Sequence, residues 1–238
     1  MRYPAFIGRA IALGAALILL CGCGGGAPAA EQGFTPLFDG ESLRGWRGFV
    51  ANAPVEARLT AAEFASGLIE ANAKRDKHWY AEDGSLKYDG RAPGANLVTL
   101  EKFEDFDLRL RWRVDPGGDT GVYLRGYPEV ELWDRSSAGS GGLNANTGPG
   151  ATPRVNADAP ADRWNDLRVV MVGDTVSVWM NGTNVVDAAP LENGYEPGAP
   201  IPPRGPIILE ATDSPAYFRD IRIRRLNGEN GDASDPGE

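Results

Sequence analysis

Residue types able to do chemistry are densest between residues 117 and 134, where the chain reads Gly-Gly-Asp-Thr-Gly-Val-Tyr-Leu-Arg-Gly-Tyr-Pro-Glu-Val-Glu-Leu-Trp-Asp. Two short alternating runs flank a Gly/Pro turn, a pattern that predicts two paired strands. In the second strand a period of two sends Glu129, Glu131 and Trp133 to one face and Val130 and Leu132 to the other. A half-buried strand needs polar groups outward, but it does not need two carboxylates and an indole in a row. That row is the first candidate for a binding or catalytic surface; the plainer reading is a solvated strand face.

Other reactive side chains are sparse. His78 is the only histidine, which excludes multi-histidine metal sites and makes any Ser-His-Asp arrangement depend on one position. Lying in Lys77-His78-Trp79, it reads as a packed or capping residue. Arg109, Arg111 and Arg113 alternate with Leu108, Leu110, Trp112 and Val114, as expected of a sheet strand with the arginines on its solvated face.

The elements that must position these groups are mostly strands. Thr60 and Glu63 have capping-box spacing, and Phe64 and Leu68 follow at helical spacing, so one short amphipathic helix is expected near 60–76. Leu167–Val172, Val176–Met180 and Val185–Asp187, separated by Gly173-Asp174 and Asn181-Gly182 turns, predict a three-stranded meander, because Asn-Gly suits the tight turn of a hairpin. Ser136–Ala161 and Leu191–Pro206 are too long and too rich in Gly, Asn and Pro to be simple turns. Many short strands with a single helix predict an all-β fold, a two-sheet antiparallel β-sandwich.

The N-terminus carries Arg2 and Arg9, an apolar run from Ala10 to Leu20, and then Leu20-Cys21-Gly22-Cys23. That run is too short to cross a bilayer core and predicts a secretion signal over 1–22. The Leu-x-Gly-Cys ending resembles the lipobox of bacterial lipoproteins, which implies cleavage before Cys23 and lipidation of its thiol. A small-residue tether then covers 23–33, one domain covers 34–226, and a polar tail covers 227–238. Gly24 follows the lipidated position without the Asp that commonly retains such proteins at the inner membrane, so the expected location is the outer membrane, with the lipid as the sole membrane contact. Loss of Arg2 and Arg9 moves the net charge from −9 to −11. Such acidity argues against nucleic acid as a partner and favours neutral substrates or metal cations.

Several segments, in order, carry a family resemblance. They are Phe34-Thr35-Pro36-Leu37-Phe38-Asp39-Gly40, Gly118-Asp119-Thr120-Gly121-Val122-Tyr123-Leu124-Arg125-Gly126, Gly139-Ser140-Gly141-Gly142-Leu143, Trp164-Asn165, Asn181-Gly182 and Phe218-Arg219-Asp220-Ile221-Arg222-Ile223. Together they resemble the 3-keto-disaccharide hydrolase domain of secreted bacterial lipoproteins. The resemblance implies a concanavalin-like or laminin-G-like jelly roll with a carbohydrate partner. It also implies cleavage of 3-keto-glycosides, in which the keto group acidifies the neighbouring hydrogen and a base removes it, so that the group on carbon 1 is expelled. Such a route needs a base, a stabiliser for the enolate oxygen and often a divalent cation, calcium or similar.

On that resemblance the catalytic candidates are Glu131, Arg125, Glu129 and Glu210. Trp133, Asp134, Asn144 and Asp213 are the substrate-binding candidates, with Trp133 as a platform for a sugar ring, and Glu131 and Glu210 the candidate cation ligands. The chain departs from the family pattern at three points. Glu131 stands where Gln is common, Asn144 replaces the aromatic after Gly-Gly-Leu, and the family's Leu-Gln-x-His-Gly reads Leu209-Glu210-Ala211-Thr212-Asp213 here. The alternative function is therefore a non-catalytic, lipid-anchored carbohydrate-binding module on the same fold.

Overall fold

The computed structural model describes residues 33–134 and 137–226. The expected signal over 1–22, Cys23, the tether as far as residue 32 and the tail from 227 lie outside the described residues. The strands are β1 (Thr35–Pro36), β2 (Trp46–Gly48), β3 (Trp79–Glu82), β4 (Ser85–Tyr88), β5 (Leu97–Thr99), β6 (Phe106–Val114) and β7 (Asp119–Leu124). They continue with β8 (Tyr127–Trp133), β9 (Asn165–Val172), β10 (Thr175–Met180), β11 (Thr183–Pro190), β12 (Ile208–Leu209) and β13 (Ala216–Arg225), and the helices are α1 (Ala53–Glu56) and α2 (Ala61–His78).

The larger, eight-stranded sheet runs β11-β10-β9-β6-β13-β4-β3 with β1 beside β13, and the smaller runs β2-β5-β12-β7-β8. All pairings are antiparallel. The β-sandwich expected from the strand pattern is the fold observed, and its core lies between the two inner faces. Leu108, Leu110, Trp112 and Val114 of β6 face Val122, Leu124, Val130 and Leu132 of β7 and β8 in one buried cluster. Full burial of one such aliphatic side chain stabilises the fold by about 1.5–3 kcal/mol. The meander forms as β9, β10 and β11.

Two helices occur where one was expected. Residues 53–56 form a single turn, capped when Asn52 Oδ1 accepts from Val55 N; four residues are too few to show periodicity. Around α2 the capping box is complete, with Thr60 Oγ1 accepting from Glu63 N and Glu63 accepting from Thr60 N. The apolar stripe is weaker than expected, since no residue of α2 is buried and Ile69 is 72% exposed. What holds the helix is its polar docking on β2: Gly48 N donates to Asn72 Oδ1, and Arg75 donates to Trp46 O. Gly48 is required there, because an added Cβ would lie 2.2 Å from Ala71 O.

The helix thus shields the side of the sandwich where edge strands β2 and β3 would present unpaired backbone. On the opposite side, residues 137–161 bridge the edge strands β8 and β11. Gly141 N donates to Glu131 O, Asn144 N donates to Glu129 O, and Arg154 N donates to Val185 O. The long irregular segment is therefore an edge cover, which also brings Asn144 beside β8.

Candidate active site

The outer face of the five-stranded sheet gathers the carboxylates. Gly121 of β7 pairs with Glu131 of β8, Tyr123 pairs with Glu129, and Glu210 N donates to Gly121 O. Antiparallel partners share a face, so Tyr123, Glu129, Glu131 and Glu210 all point away from the core. Gly121 leaves a vacancy in that row, and the Glu129 carboxyl occupies it. A Cβ at Gly121 would lie 2.9 Å from both Cδ and Oε2 of Glu129. Glu129 therefore sits between Glu210 and Glu131.

Two polar groups hold this centre. Tyr123 Oη donates to Glu210 Oε1 at 3.2 Å, and Asn144 Nδ2 donates to Glu129 Oε1 at 2.9 Å. The Glu129 and Glu210 carboxyls are themselves hydrogen-bonded neighbours. Burial is the main cause of a higher Glu210 pKa, and the Glu129 charge adds to it, so Glu210 is pushed up to about 8. Burial also raises Glu129, against the hydrogen bonds from Tyr123 and Asn144 that favour its charged form. Two carboxyls this close cannot both ionise cheaply. Burial and the neighbouring charge therefore favour the protonated form of the pair, most strongly at Glu210. Burial and then the Glu129 charge raise Glu131 as well, and burial together with both carboxylates holds the Tyr123 phenol far above its ordinary range.

Beside this centre lies a cleft of about 820 Å³ whose lining includes Tyr123, Glu129, Asn144, Thr147, Glu192 and Tyr195. A second chamber of about 240 Å³, lined by Phe49, Asn52, Asn96 and Ile208, shares Tyr123 and Tyr195 with it. Tyr195, on the irregular segment 191–206, packs edge-on against Tyr127 at 5.4 Å. Sequence reasoning missed both Tyr123 and Tyr195. The cross-strand register to Glu129 points to Tyr123, whereas nothing local marks Tyr195.

The other expected site residues are dispersed. Arg125 leaves the cluster altogether: its guanidinium is buried, donates to Asp105 Oδ1 at 2.9 Å and to Glu104 O, and pins the β7–β8 turn to the segment before β6. A left-handed backbone at Arg125, with φ of 54°, aims it there and not along the strand face. The expectation that Arg125 faces the carboxylates is corrected on this ground. Asp134 accepts from Gly117 N at the entry to β7, and the Trp133 indole donates to Gly139 O. Neither is part of the cleft lining, so Trp133 is no platform at the cleft. Asp213 is exposed in the turn after β12 and lies near Tyr88. Thr212, at the position of the family histidine, donates to Asp119 O and ties that turn to β7. His78 caps the end of α2 against Asp89 at 3.1 Å, consistent with a packed residue.

The expected cation does not fit the donors. Glu131 of β8 and Glu210, just after β12, lie either side of β7 with Glu129 between them, and among the described residues no group of three or more His, Cys, Asp or Glu is arranged to hold a metal ion.

With this geometry in view, comparison with known proteins is decisive about the family. A family model described as a 3-keto-alpha-glucoside-1,2-lyase-like domain matches residues 33–224. The chain belongs to this family. A protein of Bacteroides thetaiotaomicron named 3-keto-disaccharide hydrolase is 22% identical over 194 residues, which is 67% of this chain and 60% of that protein's own length. The chain thus spans less than two thirds of that relative. Two crystal structures of proposed glycosyl hydrolases from Parabacteroides distasonis share the fold. One has a TM-score of 0.58 and 20% identity, covering 82% of this chain and 94% of the other. The second has a TM-score of 0.51 and 21% identity, covering 63% of this chain and 91% of the other.

Proposed function

We propose that the protein cleaves 3-keto-glycosides by abstracting the proton on carbon 2, with Glu129 as base and Glu210 as the holder of the balancing proton. The observation that carries this reading is the adjacent Glu129–Glu210 pair, with Asn144 donating to Glu129 and Tyr123 donating to Glu210 at the wall of the cleft. Membership of the lyase-like domain family supports the substrate class.

In the proposed step Glu129 takes the proton from carbon 2, and the electron pair of that C–H bond forms the enolate. Collapse of the enolate breaks the bond from carbon 1 to the leaving oxygen. That oxygen takes a proton from the Tyr123 hydroxyl, which is resupplied by Glu210. Glu129 is then protonated and Glu210 ionised. Transfer of the proton back between the two adjacent carboxyls restores the starting state, and water adds to the unsaturated sugar afterwards. Enolate charge is offset by Asn144 Nδ2, one of whose two N–H groups donates to Glu129, in place of the Arg125 guanidinium. A general base of this kind contributes about 10²–10⁴-fold. No step passes through a metal ion.

Export and lipid anchoring at Cys23 complete the proposal and are supported by the Leu-x-Gly-Cys sequence. Turnover decides the main reading. Purified protein is mixed with 3-keto-trehalose, 3-keto-sucrose and aryl 3-keto-glucosides, with and without added divalent metal. If all substrates survive in every arm while glycans still bind, the protein is a carbohydrate-binding module and the catalytic proposal is lost. Dependence of turnover on the metal would overturn the metal-free route.

A further inference from the structure

The outer face of the larger sheet carries a feature that the cleft does not use. Cross-strand register sets arginine against arginine: Arg109 of β6 is opposite Arg168 of β9 and Arg222 of β13, and Arg111 is opposite Arg219. With Arg113 and Arg224 this makes a field of guanidinium groups on a chain whose net charge is −9. Like charges directly opposite each other destabilise a sheet. The arrangement therefore needs a cause.

At one end the cause is structural. Asp107 is fully buried on this face and accepts from Arg109, Arg168 and Arg224, while Phe34 lies beneath Arg109, Arg222 and Arg224. At the other end, among the described residues, no buried acid plays that part. Arg113 lies over the rings of both Trp164, at 5.6 Å, and Tyr217, at 4.2 Å, and Arg219 lies over Trp164 at 4.2 Å. The acids facing this end are peripheral. Asp166 meets Arg111 at 2.8 Å with 66% of its side chain exposed, Asp220 is 3.7 Å from Arg219 with 47% exposed, and Asp115 is hydrogen-bonded to Tyr217. Such exposed pairs are weak and are readily exchanged for another anion.

We propose that Arg111, Arg113 and Arg219 form a docking surface for a polysaccharide bearing carboxylate or sulfate groups, on the side of the sandwich opposite the catalytic cleft. Guanidinium groups of Arg113 and Arg219 lie over aromatic rings with their Nε atoms buried, which leaves the two Nη groups of each to bind carboxylate or sulfate. Successive outward positions on a strand are about 7 Å apart, so charges repeated along an extended glycan can meet more than one arginine. Trp164 and Tyr217 are only partly exposed beneath the guanidinium groups, a small apolar area for a bilayer to take up. Because the whole chain repels polyanions, attachment depends on these short-range contacts and weakens sharply with salt.

The test is affinity electrophoresis of the full chain through gels containing polygalacturonate, dextran sulfate or neutral dextran, with anionic phospholipid vesicles in a separate sedimentation assay. The expected result is retardation by at least one polyanion and not by neutral dextran, lost above about 0.5 M salt. The R113Q/R219Q variant is expected to bind about tenfold more weakly, with an unchanged unfolding midpoint and unchanged turnover. If that variant fails to fold, Arg111→Gln takes its place with the same expectation. Absence of retardation by both polyanions, equal retardation of the variant, or binding to vesicles alone overturns the proposal. Because the readout is independent of turnover, its failure is distinguishable from failure of the catalytic reading.

Discussion

The two outer faces of this sandwich solve opposite electrostatic problems with the same strand geometry. On the five-stranded sheet, cross-strand register brings Glu129, Glu131 and Glu210 together around Gly121, where burial and mutual repulsion raise their pKa values and Tyr123 and Asn144 donate to two of them. On the eight-stranded sheet, register brings arginines together, and the repulsion is relieved by the buried Asp107 and by aromatic rings. Carboxyls near neutral pH can discharge by binding a proton, whereas guanidinium groups cannot. An acidic cluster can therefore become a proton-transfer site, while a basic cluster must be held by counter-charges and becomes a surface for anions.

Five experiments bear on this contrast. The largest expected effect is on Glu129→Gln, which preserves shape and removes the base: turnover falls by about a thousandfold with the unfolding midpoint retained. A loss of fold in place of a loss of rate would make the acidic face structural, like its counterpart. Asp107→Ala should do the reverse. Leaving three arginines without their buried partner costs about 3–5 kcal/mol by chemical denaturation, and turnover per folded molecule stays unchanged.

Arg125→Ala tests whether the strongest cation near the acidic face belongs to it. Its buried pair with Asp105 predicts a loss of similar size, about 3–5 kcal/mol, without a change in the rate of the folded fraction. A selective fall in turnover would restore Arg125 to the site. Gly121→Ala places a methyl 2.9 Å from the Glu129 carboxyl, and the displaced base should lower turnover by about a hundredfold. An unaltered rate would show that the carboxyl has room to move.

The last effect is the pH dependence. The folded pKa of Glu210 is raised from its ordinary 4.5 to about 8, so between those values the folded chain binds more protons than the unfolded one. Stability is then fully present below pH about 4.5 for this group and declines as pH rises toward 8. In Glu210→Gln that decline should flatten, as read from denaturation midpoints at several pH values. Wild-type turnover should also fall as pH passes about 8, when Glu210 loses its proton.

Much of the scaffold was legible in the residues. The alternation of β6 and β8, the Asn181-Gly182 hairpin and the Thr60/Glu63 box are local signals, and each describes a structure formed within a few residues. The ordered motif set pointed to the family. The site was legible only in part. Glu129 and Glu210 were among the candidates, yet Arg125, Trp133, Asp134 and Asp213 were grouped with them because they are close in sequence or share a motif. A left-handed residue at a turn redirects a side chain in a way that a period-two pattern does not register, and that removed Arg125. The weak apolar stripe of α2 was over-read, since capping and contacts with β2 hold that helix.

What the sequence alone determined is the main strands, the face that side chains within those strands take and the carboxylates available on one of those faces, because these follow from backbone periodicity and turn chemistry. Only the tertiary structure decided that Glu210 and Glu129 lie side by side with Tyr123 donating to Glu210, that segment 191–206 brings Tyr195 to the cleft, and that Arg125 pairs with Asp105. Those contacts join residues many positions apart. Burial and the pKa shifts it causes depend on which strands become neighbours, and no local stretch of sequence carries that information.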